Sequence, residues 1–165
     1  MIEVKNLSKS FDGRTVLDNV SAEFYTGKTN LIIGQSGSGK TVLMKSLVGL
    51  LRPEEGCILF DGRNLLDMNR EEVKKLRQEI GMLFQGSALF DSETVLGNVM
   101  FPLKMFTGNS YAENRERAMF CLERVNLKGA ENKYPSEISG GMQKRVAIAR
   151  AIALNPKYLF CDEPN

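Results

Sequence analysis

Alternating hydrophobic and polar positions divide the first third of the chain into short, strand-like segments. Apolar residues alternate in MIEVKNL (1–7) and VLDNVSAEF (16–24), and glycines bracket the apolar stretch GCILFDG (56–62), so we expect three β-strands there. TNLIIG (29–34) is short, apolar and followed at once by more glycines, a pattern typical of a buried parallel strand that enters a turn.

Helical spacing of the apolar residues follows this segment and dominates the second half of the chain. KTVLMKSLVGLL (40–51) and the polar NREEVKKLRQE (69–79) predict two helices, and IGMLFQ (80–85) predicts another buried strand. TVLGNVMFPL (94–103) and YAENRERAMFCLERV (111–125) predict two more helices.

The chain ends in a long predicted helix and a last strand. GGMQKRVAIARAIALN (140–155) reads as a helix that stops before Pro156, and KYLFCD (157–162) reads as the strand. The helix has an apolar stripe of Met142, Val146, Ala149 and Ala153. Because a strand, a glycine loop and a helix come in this order near residue 34, the pattern indicates an α/β nucleotide-binding fold.

Composition limits the classes of function. The 165 residues suffice for one domain with a hydrophobic core, and a net charge of +2 without a long basic block argues against nucleic acid as the main partner. Cys57, Cys121 and Cys161 are too far apart for a disulfide framework or a metal motif, which favours a reducing compartment. The chain has no histidine, so its mechanism has to work without imidazole or obtain it from another chain.

The expected location is the cytoplasm. The first residues, MIEVKNLSKSF (1–11), carry charges and no apolar stretch, so we expect no signal peptide. No uninterrupted apolar run approaches the roughly 18–20 residues that a membrane helix needs. A soluble protein is therefore expected.

The most specific motif is GQSGSGKT (34–41), which fits G-x-x-x-x-G-K-[ST] without a gap. Its glycines let successive backbone N–H groups point at a phosphate, Lys40 would reach the β- and γ-phosphates, and the Thr41 hydroxyl would ligate Mg²⁺. The predicted phosphate-binding residues are Gly34, Gln35, Ser36, Gly37, Ser38, Gly39, Lys40 and Thr41. The alternative is a glycine-rich turn with a capping threonine. The loop alone does not separate a kinase, a GTPase, a helicase and a transport ATPase.

A second glycine motif opens the last predicted helix. Ser139 is well placed as its N-cap, and Gly140 and Gly141 follow with bare backbone amides. A helix N-terminus of this kind is a second phosphate site. Two such devices far apart in one chain make sense if two copies meet head to tail, each completing the nucleotide site of the other.

Taken together, these motifs resemble the ATP-binding subunits of ABC transporters. GQSGSGKT looks like the Walker A loop and ISGGM (138–142) like the family signature. Gln85 looks like the Q-loop glutamine, YLFCDE (158–163) like Walker B, and Phe11 like the early aromatic that stacks on adenine. The resemblance implies a P-loop NTPase (RecA-like) core with an N-terminal antiparallel β subdomain and a helical insertion, and it implies ATP and Mg²⁺ as cofactors.

The resemblance also gives the polar residues near Walker B their roles. Asp162 would hold the Mg²⁺ coordination shell, and Glu163 would polarise the attacking water as general base. Gln85 would orient water and Mg²⁺ while sensing the transport partner, so Glu163, Gln85 and Lys40 form the expected catalytic set. The alternatives are an acidic turn for Asp162 and Glu163, a polar strand end for Gln85, and a core or turn aromatic for Phe11.

Two departures from the family pattern have consequences. Glutamine is commonest where this chain has Met142, and methionine cannot complete a capping box with Ser139. The family also continues past Walker B with further strands and a switch histidine, so we expect a C-terminally truncated domain without those strands. Because the strands would flank the strand at 29–34, we expect an uncovered parallel edge there.

The domain organisation follows from the motif order. We expect one incomplete nucleotide-binding domain over 1–165, with the β subdomain and phosphate-loop core in 1–85, the helical insertion in 86–135, and the signature helix and Walker B strand in 136–165. Three basic residues of the signature helix are expected to form a solvated face rather than a nucleic-acid patch: Lys144, Arg145 and Arg150.

QGSALFDS (85–92) and SGGM (139–142) most resemble the Mla-type branch, the ATPases of phospholipid transport. In this family an integral membrane permease docks between the Q-loop and the helical insertion, which would hold the ATPase against the inner face of the membrane. The candidate docking residues, or alternatively packing residues of the insertion, are Leu89, Phe90, Phe101, Met105 and Phe106.

Three other classes of function compete with a transport ATPase. An ABC-type ATPase that acts on ribosomes or DNA would show a basic face and tandem motifs, and neither is apparent in the sequence. A P-loop kinase would need an acceptor site and has no reason to carry Ser-Gly-Gly before a helix. A nucleotide-binding module without turnover is the third, because truncation would remove parts of the hydrolytic site.

Overall fold

The computed structural model of the protein describes residues 1–84 and 86–162. The chain divides into two units, Met1–Val73 and Lys74–Asn165. The N-terminal unit contains β1 (Ile2–Phe11), β2 (Arg14–Phe24), α1 (Lys40–Leu47), β3 (Glu55–Phe60) and β4 (Arg63–Asn64). A 3-10 turn at Leu65–Asp67 and helix α2 (Arg70–Gln78) follow.

The sheet of the N-terminal unit is antiparallel, with the strand order β2-β1-β3-β4. Ile2 in the central strand pairs with Phe24 of β2 on one side and with Phe60 of β3 on the other. Its first residues alternate as the sequence predicts, since Ile2 and Val4 are buried between less buried neighbours. The three strands predicted from alternation are confirmed, and β1 and β2 extend beyond the segments that alternate.

The segment 29–34 is not a strand, so that prediction is wrong. Leu31 is 80% exposed and Ile33 is 84% exposed, and neither β1, β2, β3 nor β4 pairs with this segment. Its apolar side chains are those of a buried parallel strand, but such a strand forms only where neighbouring strands supply its hydrogen bonds and cover its faces.

The C-terminal unit combines a two-stranded parallel sheet with three helices. Its elements are β5 (Ile80–Leu83), α3 (Val95–Phe106), α4 (Tyr111–Arg124), α5 (Gly140–Ala151) and β6 (Tyr158–Cys161). β5 and β6 pair in parallel from Ile80 opposite Tyr158 to Leu83 opposite Cys161. No helix within residues 1–84 and 86–162 is both long and apolar enough to span a membrane.

A shared core holds α3, α4 and α5 together. It includes Val99 and Met100 of α3, Leu122 of α4 and Val146 of α5, each no more than 1% exposed. The predicted apolar stripe of α5 is confirmed, since Val146, Ala149 and Ala153 are buried and Met142 packs against the cluster partly buried. The helices of the predicted insertion therefore share one core with the signature helix.

Helix α5 ends at Ala151, four residues before the predicted end. Arg117 of α4 donates hydrogen bonds to the carbonyls of Ile152 and Ala153, and Asn155 adopts a left-handed conformation with φ 53°. These contacts satisfy carbonyls beyond the last helical turn and direct the chain out of the helix before Pro156.

Candidate functional site

The phosphate loop is an exposed turn that leads into a helix. Residues 34–38 are exposed, Gly39 is buried, and α1 begins at Lys40. Gly39 is the N-cap of α1 and has no side chain that could satisfy the first helical amides. Those N–H groups and the positive end of the helix dipole are the features that bind a phosphate.

The side chain of Lys40 is hydrogen-bonded to the backbone of this loop. The Lys40 ammonium donates 2.9 Å hydrogen bonds to the carbonyls of Gly34 and Gln35. The Ser38 N–H donates to the Gln35 carbonyl at 3.2 Å and closes the turn. The loop and its ammonium group are therefore prearranged, so little ordering is needed when an anion binds.

The β1–β2 hairpin packs against the phosphate loop at Gly39. Gly39 has φ 90°, and a Cβ there would lie 3.0 Å from the Val16 carbonyl oxygen and 3.1 Å from Leu17 Cδ2. Phe11 pairs with Arg14 at the turn of the same hairpin. One hairpin thus carries the predicted adenine-stacking residue and contacts the loop. The sequence gives no signal that would identify the contact of Val16.

Phe11 is an exposed aromatic residue and not a core one. Its ring is 40% exposed, and the Lys9 ammonium lies 5.2 Å from its centroid. The core alternative for Phe11 is therefore excluded. An exposed ring at a strand end is what stacking on a base requires.

The signature helix begins as predicted. Ser139 is the N-cap of α5, and its hydroxyl accepts a hydrogen bond from the Met142 N–H at 3.3 Å. The cap remains single, whereas α4 begins with a complete capping box between Ser110 and Glu113. Met142 instead stabilises the helix by packing against the core. The comparison of motifs does not predict this contact.

Within residues 1–84 and 86–162, no packing contact requires glycine at positions 140 and 141. Both are exposed, and a Cβ on either would meet no atom of the described residues within 4 Å. Glycine in a helix costs roughly 0.5–1 kcal/mol relative to alanine. Close approach of another molecule to this backbone would explain why two exposed glycines stand at the helix start.

Asp162 lies at the carboxyl end of β6, where ligands of open α/β sheets bind. Its N–H donates to the carbonyl of Leu83 at 2.9 Å, so the ends of β5 and β6 lie side by side. Gln85 and Glu163, two of the three predicted catalytic residues, lie outside the residues that the structure describes.

The segment 86–94 follows β5 in an unusual conformation. Gly86, Ser87 and Ala88 have successive positive φ angles of 75°, 67° and 43°, and each non-glycine residue of this kind costs about 1–3 kcal/mol. Arg150 donates hydrogen bonds to the carbonyls of Ser87 and Ala88. The prediction that Arg150 belongs to a solvated face is therefore wrong. Burial lowers the pKa of its guanidinium, and two carbonyl dipoles offset part of its lost hydration.

The candidate docking residues separate into two groups. Phe90, Phe101 and Met105 are exposed by 41%, 39% and 55%, and the rings of Phe90 and Phe101 contact each other with centroids 4.6 Å apart. Leu89 and Phe106 are half-buried, and Leu89 packs against the core of the unit. An exposed aromatic pair beside a methionine is therefore the part of the set that is available to a partner.

Comparison with known proteins identifies the family. The sequence profile described as ABC transporter matches residues 17–165, which includes the phosphate loop, the signature helix and Asp162. The chain belongs to the ABC transporter family. The structure of the ATP-binding cassette MJ0796 in a dimeric post-hydrolysis state with ADP and Pi is 36% identical, with a TM-score of 0.90 over 100% of this chain and 75% of that one. The chain thus has the P-loop NTPase fold of ABC cassettes, as predicted.

Curated relatives in the family carry different transport names. The probable ribonucleotide transport ATP-binding protein mkl of Mycobacterium leprae is 44% identical over 99% of this chain and 47% of its own length. The methionine import ATP-binding protein MetN of Carboxydothermus hydrogenoformans is 46% identical over 99% of this chain and 49% of its own. The intermembrane phospholipid transport system ATP-binding protein MlaF of Haemophilus influenzae is 43% identical over 99% of this chain and 62% of its own length. The chain spans about half the length of the curated relatives it matches.

Proposed function

We propose that the chain binds ATP with Mg²⁺ and that the protein carrying it hydrolyses ATP to drive transport through a membrane permease. The observation that supports this most is the phosphate loop, where exposed amides, the start of α1 and the Lys40 ammonium converge. The solved cassette MJ0796, which has the same fold, is bound to ADP and Pi. These features fit a triphosphate because it offers several anionic oxygens to backbone donors and a cation.

The chain's own residues divide the work of phosphoryl transfer. When bound, ATP with Mg²⁺ supplies the phosphoryl group that is transferred to water and the charge that stabilises the transferred group. Lys40 binds the terminal phosphates, and the Thr41 hydroxyl and the Asp162 carboxylate are oxygen donors of the type that Mg²⁺ prefers. Glu163 accepts the proton of the attacking water, and Gln85 orients that water.

A second copy of the chain completes the site from its signature helix. Ser139, Gly140 and Gly141 of that copy bring a helix N-terminus to the γ-phosphate, and Phe11 of the first copy stacks on the adenine. The exposed glycines support this role because the described residues leave room for a larger side chain at both positions. A head-to-tail dimer that closes on ATP and opens after hydrolysis would then drive the permease between two states.

Among transported substrates we favour phospholipids. QGSALFDS (85–92) and the Ser-Gly-Gly-Met signature resemble the Mla-type branch, and MlaF is 43% identical. Ribonucleotides and methionine are the competing substrates, because the relatives mkl and MetN are named for their transport. In each case the permease would contact the exposed pair of Phe90 and Phe101, holding the protein at the inner face of the membrane.

The test uses the protein as its cell makes it, purified alone and together with the permease in proteoliposomes. We expect Mg²⁺-dependent ATP hydrolysis that the permease stimulates, and transfer of a labelled phospholipid that depends on ATP. Binding of ATP without turnover under any condition would replace this function with that of a nucleotide-binding module. Transport of labelled methionine or ribonucleotide in place of phospholipid would keep the ATPase and change its substrate.

A further inference from the structure

The loop 86–90, whose first three residues are left-handed, is bound by the last turn of the signature helix. Arg150 lies in the last turn of α5. Its Nη1 donates to the Ala88 carbonyl at 2.9 Å and its Nη2 to the Ser87 carbonyl at 3.0 Å. The guanidinium carbon lies 5.8 Å from the centroid of the Phe90 ring. One side chain of α5 thus contacts three residues of this loop, namely Ser87, Ala88 and Phe90.

Helix α3 fixes the other end of the same segment. Asn98 is fully buried, and its Oδ1 accepts from the Phe90 N–H at 2.8 Å while its Nδ2 donates to the Phe90 carbonyl at 3.1 Å. Nδ2 also donates to the carbonyls of Glu93 and Thr94. Asn98 therefore anchors residues 90–94, and the bond of Arg150 to residues 87 and 88 decides how the preceding part of the loop lies against α5.

The two ends of α5 have different neighbours. Its first turn carries Ser139, Gly140 and Gly141, and its last turn holds the loop that follows Gln85 in the sequence and presents Phe90. An α-helix of 12 residues is a rigid rod of about 18 Å. A displacement of the loop must therefore move the whole helix or break the bonds of Arg150.

We propose that Arg150 is a positioning residue that ties the loop 86–90 to α5, so that a partner docked on Phe90 shifts the Ser139–Gly141 helix start. This inference rests on the proposed function, because it concerns how the permease acts on ATP turnover. Arginine suits the role because its planar fork presents two donors at a fixed spacing and stacks on an aromatic ring. Lysine offers a single ammonium group and cannot hold both carbonyls and the ring in that geometry.

Arg117 of the neighbouring helix α4 provides a matched control. Its Nε donates to the Ala153 carbonyl at 2.8 Å and its Nη2 to the Ile152 carbonyl at 3.1 Å, and its guanidinium lies 5.3 Å from the Phe120 ring. Arg117 is half-buried like Arg150. It therefore makes the same kinds of contact at the same end of α5, but with the helix terminus instead of the loop.

The first experiment measures amide hydrogen exchange in the full protein, with wild type, Arg150→Lys and Arg117→Lys compared without nucleotide. We expect the amides of residues 86–90 to exchange about tenfold faster or more in Arg150→Lys, because the loop opens locally, and to be unchanged in Arg117→Lys. Equal exchange of these amides in all three proteins would overturn the proposal. If Arg150→Lys does not fold, Arg150→Gln keeps one donor and is expected to give the same acceleration.

The second experiment measures coupling in proteoliposomes as the ratio of permease-stimulated to basal ATP turnover. We expect this ratio to fall by about fivefold or more in Arg150→Lys, the range of a typical coupling between sites, while the affinity for ATP stays within about twofold. Arg117→Lys should keep the wild-type ratio. An unchanged ratio in Arg150→Lys would overturn the proposal. A wild type that hydrolyses no ATP would instead refute the proposed function, and the exchange experiment would still decide the role of Arg150.

Discussion

The chain carries two glycine-rich helix starts, and only one of them needs its glycines in order to fold. In the phosphate loop Gly39 has φ 90°, and a Cβ there would press against the Val16 carbonyl at 3.0 Å. At the start of α5, Gly140 and Gly141 have no atom of the described residues within reach of a Cβ. Conformation explains the glycine of the first segment, whereas the glycines of the second are explained by a molecule outside this chain.

This difference separates the effects of mutation in the two segments. In the phosphate loop a larger residue should lower stability and nucleotide binding together, because fold and function use the same backbone conformation. At the start of the signature helix, stability and nucleotide binding should change in opposite directions. The following substitutions test the comparison in order of decreasing expected effect.

Removal of the Lys40 ammonium should have the largest effect on activity. Lys40→Ala is expected to lower ATP turnover by about 10²–10³-fold, since it removes a preorganised charge that stabilises the transferred phosphoryl group. Steady-state hydrolysis by the full protein measures this loss. Lys45→Ala is the control because Lys45 is an exposed cation in the last turn of the same helix. A similar loss in both variants would mean that general charge, and not the phosphate loop, sets the rate.

Alanine at Gly39 and at Gly141 should change stability with opposite signs. Gly39→Ala is expected to lower the free energy of unfolding by roughly 1–2 kcal/mol because it forces a left-handed alanine. Gly141→Ala should raise it by about 0.5–1 kcal/mol by reducing the entropy of the unfolded chain. Chemical denaturation of both variants measures these changes.

Gly141→Ala should nevertheless impair the enzyme. A methyl group at this backbone is expected to weaken one charge-assisted hydrogen bond to phosphate and to lower turnover by about tenfold or more. A more stable protein with full turnover would show that nothing approaches this helix start closely. The explanation of its glycines by a molecule outside this chain would then be wrong.

Loss of the single cap on α5 should have a moderate effect. Ser139→Ala is expected to cost about 1 kcal/mol of stability and to lower turnover as well. Ser110→Ala removes the cap of α4, where the capping box also involves Glu113, and should cost at least as much stability without a selective loss of turnover. Thermal denaturation and hydrolysis rates of the two variants distinguish them. Equal rates would assign Ser139 a structural role alone.

The smallest effect is expected for Met142→Gln. Glutamine can complete the capping box with Ser139, but it gives up part of the packing of Met142 against the core of the C-terminal unit. Because these contributions oppose each other, we expect a change in unfolding free energy within about 0.5 kcal/mol. A gain well above this value in denaturation experiments would mean that the cap outweighs the packing.

The sequence by itself determined the elements and motifs whose information is local. The three longer strands of the N-terminal sheet, the cap at Ser139 and the phosphate loop follow from residues close together in the chain, because alternation, capping and turn formation act over a few residues. For the same reason the family resemblance could be based on short motifs. The roles of Gln85 and Glu163 stay predictions, since both lie outside the described residues.

Only the tertiary structure decided which side chains are covered and what they contact. The segment 29–34 has the pattern of a buried strand, yet it pairs with none of β1 to β4, and Leu31 and Ile33 are exposed. Arg150 has the pattern of a solvated cation, yet it binds two carbonyls about sixty positions away in the chain. Burial and long-range hydrogen bonds depend on what packs against a residue, and a local pattern carries no information about that neighbour.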